Sequence, residues 1–240
     1  MPLLKKMVGE VFGKFVFREL TVERTYEPSP RFKRVELRGD ALRGAAYEPG
    51  DKLQIFIDGD MRTYSPFSFD AERGALSLLV YLHAAGTPST SFARALAEGD
   101  RVQVFGPRRS LRLADIAGPI VFLGDETSFG VARSLEESAD RQRSIATIFE
   151  VSERAEAEKA LATLDLARST LVERRAADSH FPELERALVS ELDALAGATL
   201  VLTGRAATIQ FARRALKERA PKVVTQKVKA YWALGKRGLD

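Results

Sequence analysis

The chain has 240 residues and no cysteine, and only two histidines and one tryptophan. Without cysteine there is no disulfide, no thiolate metal site and no cysteine nucleophile. His83 and His180 alone are too little for a zinc centre, so no metal ligand is assigned. No stretch approaches the roughly 20 consecutive apolar residues that cross a bilayer, so no membrane insertion is expected. Lys5 and Lys6 are followed by no long apolar run, which predicts no signal peptide and makes the cytoplasm the expected location. The sequence shows no Ser-His-Asp order, no H-E-x-x-H and no evident acid/base carboxylate pair. Chemistry of that kind is set aside in favour of chemistry lent by a bound cofactor. No single sign of charge dominates: 37 Lys and Arg face 33 Asp and Glu, a net +4. That is a mild preference for anionic ligands, and the interleaving of bases with acids argues against nucleic acid.

What is present has two rhythms. Up to Phe105 the chain reads as short strands bounded by Gly, Pro or Asp, several of them alternating apolar with polar residues. They are expected at Phe15–Phe17, Phe32–Leu37, Lys52–Ile57, Leu76–Leu82 and Arg101–Phe105, with one helix over Ser89–Glu98. This spacing suggests a small antiparallel barrel. After Pro119 strands and helices alternate. Ile120–Leu123 is a solid apolar run, followed by strands at Ile145–Val151, Ser169–Glu173, Thr199–Thr203 and 223–228, with helices between them. That alternation predicts a doubly wound α/β domain. The expected divisions are 1–115, 116–228 and a C-terminal tail over 229–240.

Within the first half, Arg62-Thr63-Tyr64-Ser65 offers a cation, an aromatic ring and a hydroxyl near one strand end. Residues two apart in a strand share a face, so Arg62 and Tyr64 point into one groove. The cation suits the pyrophosphate of a flavin dinucleotide, the ring its flavin or ribityl portion, and the hydroxyl its redox edge. An ordinary half-buried strand with a solvent-facing Arg is the alternative. His83 to Ser91 joins a strand to a helix and is dense in hydroxyls. Thr87, Ser89, Thr90 and Ser91 either cap that helix or hold a phosphate oxygen at its N-terminus. His83 is either a structural strand-end residue or a donor facing a ligand.

In the second half, Gly124-Asp125-Glu126-Thr127-Ser128 follows the first parallel strand, where backbone N–H groups attract phosphate. Asp125 and Glu126 would repel a phosphate they faced, so each either caps the helix or contacts a ligand in another way. Gly204-Arg205 follows a later strand in the same way; Arg205 either serves a phosphate or is a surface residue.

In order along the chain, these motifs resemble the siderophore-interacting proteins, a branch of the ferredoxin-reductase-like flavoproteins. The resemblance rests on the Arg62-x-Tyr64-Ser65 motif, Leu82-His83 with Pro88 and Thr90, Gly106-Pro107, the intact Gly124-Asp125-Glu126-Thr127, and Tyr231-Trp232 leading to Gly238. It implies an N-terminal FAD-binding β-barrel followed by a nucleotide-binding parallel-sheet domain. It implies FAD, NADPH or NADH as cofactors, and a ferric siderophore or other ferric chelate as partner, reduced so that iron leaves as Fe(II). The chain would act as a monomer or weak dimer. Catalysis is expected of Tyr64 and Ser65. Cofactor binding is expected of Arg62, Tyr64, Ser65, Tyr81, His83, Thr87, Ser89, Thr90, Ser91, Gly124, Asp125, Glu126, Thr127 and Trp232. Lys229, Lys236 and Arg237 would draw the anionic chelate. The alternatives are a ferredoxin-reductase-like flavoprotein with another acceptor, or a flavin- or ferric-chelate-binding protein without turnover. The sequence departs from the family pattern at Phe67, where an Arg is common, in Thr87–Thr90, after Thr127, and at Arg205, where a Glu is common.

Overall fold

The computed structural model describes residues 17–83, 87–139, 143–219 and 225–235. Seven antiparallel strands form the first sheet: β1 (Phe17–Ser29), β2 (Phe32–Arg38), β3 (Lys52–Ile57), β4 (Asp60–Tyr64), β5 (Ser68–Asp70), β6 (Ala75–Tyr81) and β7 (Arg101–Arg108). Their spatial order is β4-β3-β7-β1-β2-β6-β5. The two edge strands, β4 and β5, are therefore consecutive in the chain, joined only by residues 65–67. A connection that short spans at most about 3.5 Å per residue, so it draws the two edges together and curls the sheet into a barrel with its seam at 65–67. Leu20, Val22, Val35, Leu37, Leu53, Ile55, Leu76, Leu78, Val80, Val102 and Val104 alternate inward to form one core.

The β3–β4 hairpin turns through Asp58 and Gly59, both at positive φ, the two-residue Asp-Gly turn whose twist matches its strands. It fixes the register that places Arg62 opposite Ile55 and Tyr64 opposite Leu53. One helix, α1 (Pro88–Ala95), interrupts the strands between β6 and β7, with Thr87 as its N-cap.

The second sheet is parallel: β8 (Ile120–Asp125), β9 (Ile145–Val151), β10 (Thr170–Glu173), β11 (Thr199–Arg205) and β12 (Gln226–Trp232), in the order β10-β9-β8-β11-β12. The order reverses between β8 and β11, the kind of crevice where open α/β sheets bind ligands. Helices α2 (Phe129–Ser138) and α3 (Arg154–Ala162) cover one face, and α4 (Phe181–Ala194) and α5 (Ala206–Arg219) the other. Within β8, Ile120 and Phe122 enter the core shared with α2 and α3, while Val121 and Leu123 enter the core under α4 and α5. The strand is thus buried on both sides, as its unbroken apolar run requires.

The first of these cores also contains Phe32 and Phe67 from the barrel and Leu111, Leu113 and Ile116 from the connecting segment. Phe32 stacks on Phe129 with ring centroids 5.4 Å apart. The barrel and the parallel sheet therefore share hydrophobic packing.

Several elements differ from expectation: β4 and β5 are not among the expected strands, and β7 runs to Arg108 and β11 to Arg205, past the expected Phe105 and Thr203. β1 runs to Ser29, beyond the Phe15–Phe17 that the sequence suggests, because it is mostly polar and buries little beyond Leu20, Val22 and Ser29; Phe15 and Val16 lie outside the described residues. α1 ends at Ala95 rather than Glu98. The last strand, expected at 223–228, is observed through Trp232, with residues 223 and 224 outside the described set. Lys229, Ala230 and Trp232 consequently pair with β11.

Candidate cofactor site

A cleft of about 380 Å³ opens where the barrel seam meets the carboxyl end of β12. It brings together Arg62, Tyr64, Ser65, Tyr81, His83, Thr87, Ser89, Thr127, Lys229 and Trp232 from the expected set, and adds Met61, Thr63, Leu79, Pro88, Ala230 and Tyr231. No carboxylate is among these residues. Two cations, five aromatic or imidazole rings and several hydroxyls line it, which suits a ligand that is both aromatic and anionic.

Each wall has a local cause. β4 is an edge strand lying lengthwise along the cleft, so residues of both parities border it. Burial raises the Tyr64 pKa to about 12, against the effects of Arg62 and of Ser89 at the start of α1. The Arg62 Nη2 donates to Asp60 across 3.1 Å, but its Nε is buried with no hydrogen-bond partner. A buried guanidinium N–H left unpaired is costly and is satisfied by an incoming acceptor. That orphaned donor is the observation that fits a pyrophosphate here.

Not all the expected helix-start donors remain available. Thr87 Oγ1 accepts from the Thr90 backbone N–H, and Thr87 O accepts from that of Ser91. Thr90 is buried inside the cap and Ser91 is exposed away from the cleft. Of this group only Thr87 and Ser89 border the cleft, so Thr90 and Ser91 serve the helix.

His83 stands edge-on to Tyr81 (4.7 Å) and to Trp232 (6.2 Å), a chain of rings crossing from barrel to α/β domain. Desolvation lowers its pKa, opposed by Glu126 and assisted by Arg174. Burial pushes the Tyr231 phenol well above the ordinary range, opposed by Ser65 beside it.

Gly124, Asp125 and Glu126 lie behind the cleft. Asp125 is buried and accepts from the backbone N–H and hydroxyl of Thr127 and from Trp232 Nε1 at 2.6 Å. Its carboxylate rests on Gly204, where an added methyl would come within 2.5–2.7 Å of it. The capping alternative is thus the observed one: a donor of the turn is taken by the chain's own acid. Glu126 is also buried. It accepts from the Ser152 backbone N–H and pairs with Arg174 at 3.2 Å.

Arg205 is not a surface residue. It forks onto Asp178 (2.6 and 3.1 Å) and reaches Glu150 at 3.1 Å. Glu150, fully buried at the end of β9, also meets His180 (2.7 Å), Thr208 (2.6 Å) and Arg174 (3.3 Å). Burial would raise its pKa, but Arg174, Thr208 and His180 hold it below the usual range. Glu150, Asp178 and His180 bring potential metal-ligating atoms within 4.8 Å of one another. Arg174 and Arg205 already sit among them, so the group is charge-paired from within. Both guanidinium groups also lie near the Trp232 ring, at 5.7 and 6.0 Å. Sequence reasoning does not reach this network. A lone acid in the apolar run Ile145–Val151 was the available signal, since a buried charge must be paired. Lys229 borders the cleft; Lys236 and Arg237 lie outside the described residues.

An antiparallel barrel followed by a parallel α/β sheet, with a cleft between them, is a ferredoxin-reductase-like fold. Phthalate dioxygenase reductase shares it, at 19% identity and a TM-score of 0.68 over 92% of this chain and 70% of that one. Within the fold, residues 56–111 match the siderophore-interacting FAD-binding domain. That segment runs from β3 to just past β7 and carries Arg62, Tyr64, Ser65 and the start of α1. A siderophore utilization protein from T. fusca is 25% identical, with a TM-score of 0.70 over 94% of this chain and 96% of that one. The siderophore-interacting protein SipS from Aeromonas hydrophila is 22% identical, with a TM-score of 0.71 over 93% and 94%. No curated protein matches the sequence. Among the described residues, no helix is long and apolar enough to cross a membrane.

Proposed function

We propose that this protein binds FAD in the seam cleft and passes electrons from NADPH or NADH to a ferric siderophore or similar ferric chelate, releasing Fe(II) in the cytoplasm. The carrying observation is the buried, unpartnered Arg62 Nε in a cleft that is rich in rings and, among the described residues, lined by no carboxylate. Arg62 would neutralise the pyrophosphate, Thr87 and Ser89 would add hydroxyl or backbone donors to it, and Tyr64 would pack along the ribityl or ring portion. Ser65 would meet the redox edge. A bound flavin supplies the conversion from hydride acceptance to single-electron transfer. Hard oxygen ligands hold Fe(III) far more firmly than Fe(II), so one electron loosens the chelate. Tyr231 and Trp232 exclude water from the inner wall, and Lys229 favours an anionic chelate at the mouth.

Purified protein titrated with FAD should quench the flavin's fluorescence and hold it through gel filtration. Anaerobic NADPH or NADH should then bleach the visible band, and ferric chelate should restore it with Fe(II) captured by a chromogenic trap. Failure to take up FAD would overturn the proposal. A specific observation favours one second reading. The Gly124–Ser128 turn spends a donor on Asp125, and Trp232 is tied across it, the arrangement expected of a flavoprotein that binds its ligand without accepting hydride from a pyridine nucleotide. FAD uptake without bleaching by either nucleotide selects that reading.

A further inference from the structure

We infer that Arg174, which stands behind the cleft, is the positioning residue for its wall of rings; this rests on the flavin reading of that cleft. The wall is the row Tyr81, His83 and Trp232, in edge-on contact at 4.7 and 6.2 Å. Tyr81 ends β6 of the barrel and Trp232 ends β12 of the parallel sheet, so neither sheet alone fixes the row. Arg174 reaches both of its ends. The guanidinium lies 5.7 Å from the Trp232 ring, and its Nη1 donates to Ser152 Oγ at 2.7 Å. The same serine oxygen accepts the Tyr81 hydroxyl at 3.2 Å.

The guanidinium is held in one plane from three directions. Nη1 meets Ser152, Nη2 donates to Glu126 at 3.2 Å, and Nε faces Glu150 at 3.3 Å. Ser152 is fixed by the first of these acids, because its backbone N–H donates to the other oxygen of Glu126. Ser152, Glu126 and Arg174 thus close a ring of bonds, and the serine oxygen is presented to Tyr81 in a set direction. On the barrel side, Arg31 Nη1 donates to the Tyr81 oxygen at 3.4 Å, so the phenol accepts there and donates across to Ser152.

Reach and shape suit Arg174 to this position. It follows β10 while Trp232 ends β12, the opposite edges of the parallel sheet, and their side chains meet over its carboxyl end. A planar guanidinium offers donors around its rim and a face to an aromatic ring, a combination that lysine lacks. Arg205 also flanks the indole, at 6.0 Å, but its bonds run to Asp178 and Glu150 and not towards Tyr81. The placement of Arg174 therefore sets the separation of Tyr81 and Trp232, and with it the width offered to a flat ligand.

Trp232 is the only tryptophan, so its fluorescence reports the wall with no flavin present. Arg174→Lys keeps a charge for Glu126 and Glu150 but loses the fork. In the ligand-free protein it is expected to shift the Trp232 emission to the red and make it easier to quench with acrylamide. It should also raise the FAD dissociation constant about three- to tenfold. Ser152→Ala cuts only the link to Tyr81; it should weaken FAD binding by a similar factor and leave the Trp232 emission in place. The double variant should bind FAD no worse than Arg174→Lys alone. Full additivity of the two changes overturns the inference and leaves the flavin reading intact, as does an unchanged FAD affinity or unchanged Trp232 emission in folded Arg174→Lys protein. If thermal melts show that Arg174→Lys does not fold, the cycle of Ser152→Ala with Tyr81→Phe decides: coupled losses of FAD affinity support the inference, and additive or absent losses overturn it. Absence of FAD binding by the unaltered protein overturns the flavin reading together with the inference.

Discussion

Trp232 Nε1 donates to Asp125 across 2.6 Å, joining the end of β12 to the end of β8 over the intervening β11. Asp125 is buried, and Thr127 supplies two of its other donors. The bond closes the crevice where the strand order reverses, so the aromatic wall of the cleft is held by a carboxylate in the nucleotide domain. Trp232→Phe removes one donor from a buried acid and should cost about 1–3 kcal/mol of stability, read as a lower urea midpoint at unchanged slope.

The same acid gives a pH dependence whose sign is fixed. Burial, with Glu126 adding to it, raises the Asp125 pKa from 3.8 to about 7, against the hydrogen bonds of Thr127 and Trp232 and the charge of Arg174. Between these values the folded protein keeps a proton that the unfolded chain has released. The contribution of Asp125 to stability is therefore fullest below about pH 4, falls as pH rises towards 7, and is flat above. Glu150 and Asp178, whose pKa values are lowered, act in the opposite sense. Comparison with Asp125→Asn isolates the effect. From about pH 4 to 7 the unaltered protein should lose stability relative to the variant; a difference that does not change with pH would refute the assignment.

Arg62→Ala should raise the FAD dissociation constant by roughly ten- to a hundredfold, the loss of one charge-assisted contact. Arg62→Lys should recover only part, because a lysine cannot reproduce the guanidinium Nε donor. Fluorescence titration at two salt concentrations separates this contact from long-range attraction.

Glu150→Ala should be the most damaging change in the charged network. It leaves Arg174, Arg205 and His180 facing a gap, at a cost of about 3–5 kcal/mol. Arg205→Ala should cost less, since Glu150 keeps Arg174, His180 and Thr208. Denaturant melts of both variants give the order.

Gly130, in the first turn of α2, lies against the seam: a methyl there would approach Ser65 O to 2.9 Å. Gly130→Ala should push the helix from the connector. The expected result is a several-fold rise in the FAD dissociation constant, larger than any fall in affinity caused by an exposed alanine elsewhere on α2.

Much of this was legible because local and tertiary signals agreed. Lys52–Ile57 and Ile145–Val151 are read from the sequence with the observed limits, since alternation and a mostly apolar run each state how many faces of a strand are buried. The Arg62–Ser65 motif gives one wall of the cleft directly. β1 was not legible, because its many charges mask a long strand that buries few residues. Thr90 and Ser91 look like ligand donors, but the Thr90 hydroxyl is spent on the His83 carbonyl and Ser91 does not border the cleft. Arg205 and Asp178 are 27 residues apart in sequence, and nothing local to either announces the other.

The barrel is held closed at one place by three residues, and the proposed ligand lies along that same place. A strand edge with few neighbours opens readily when a domain breathes, so proteases should cut residues 60–70 faster in the empty protein than in the liganded one. A ligand bound across the gap suppresses that opening in proportion to its concentration. The lifetime of the molecule then becomes a gauge of cofactor supply: chains made in excess of available flavin are the ones a cell would clear.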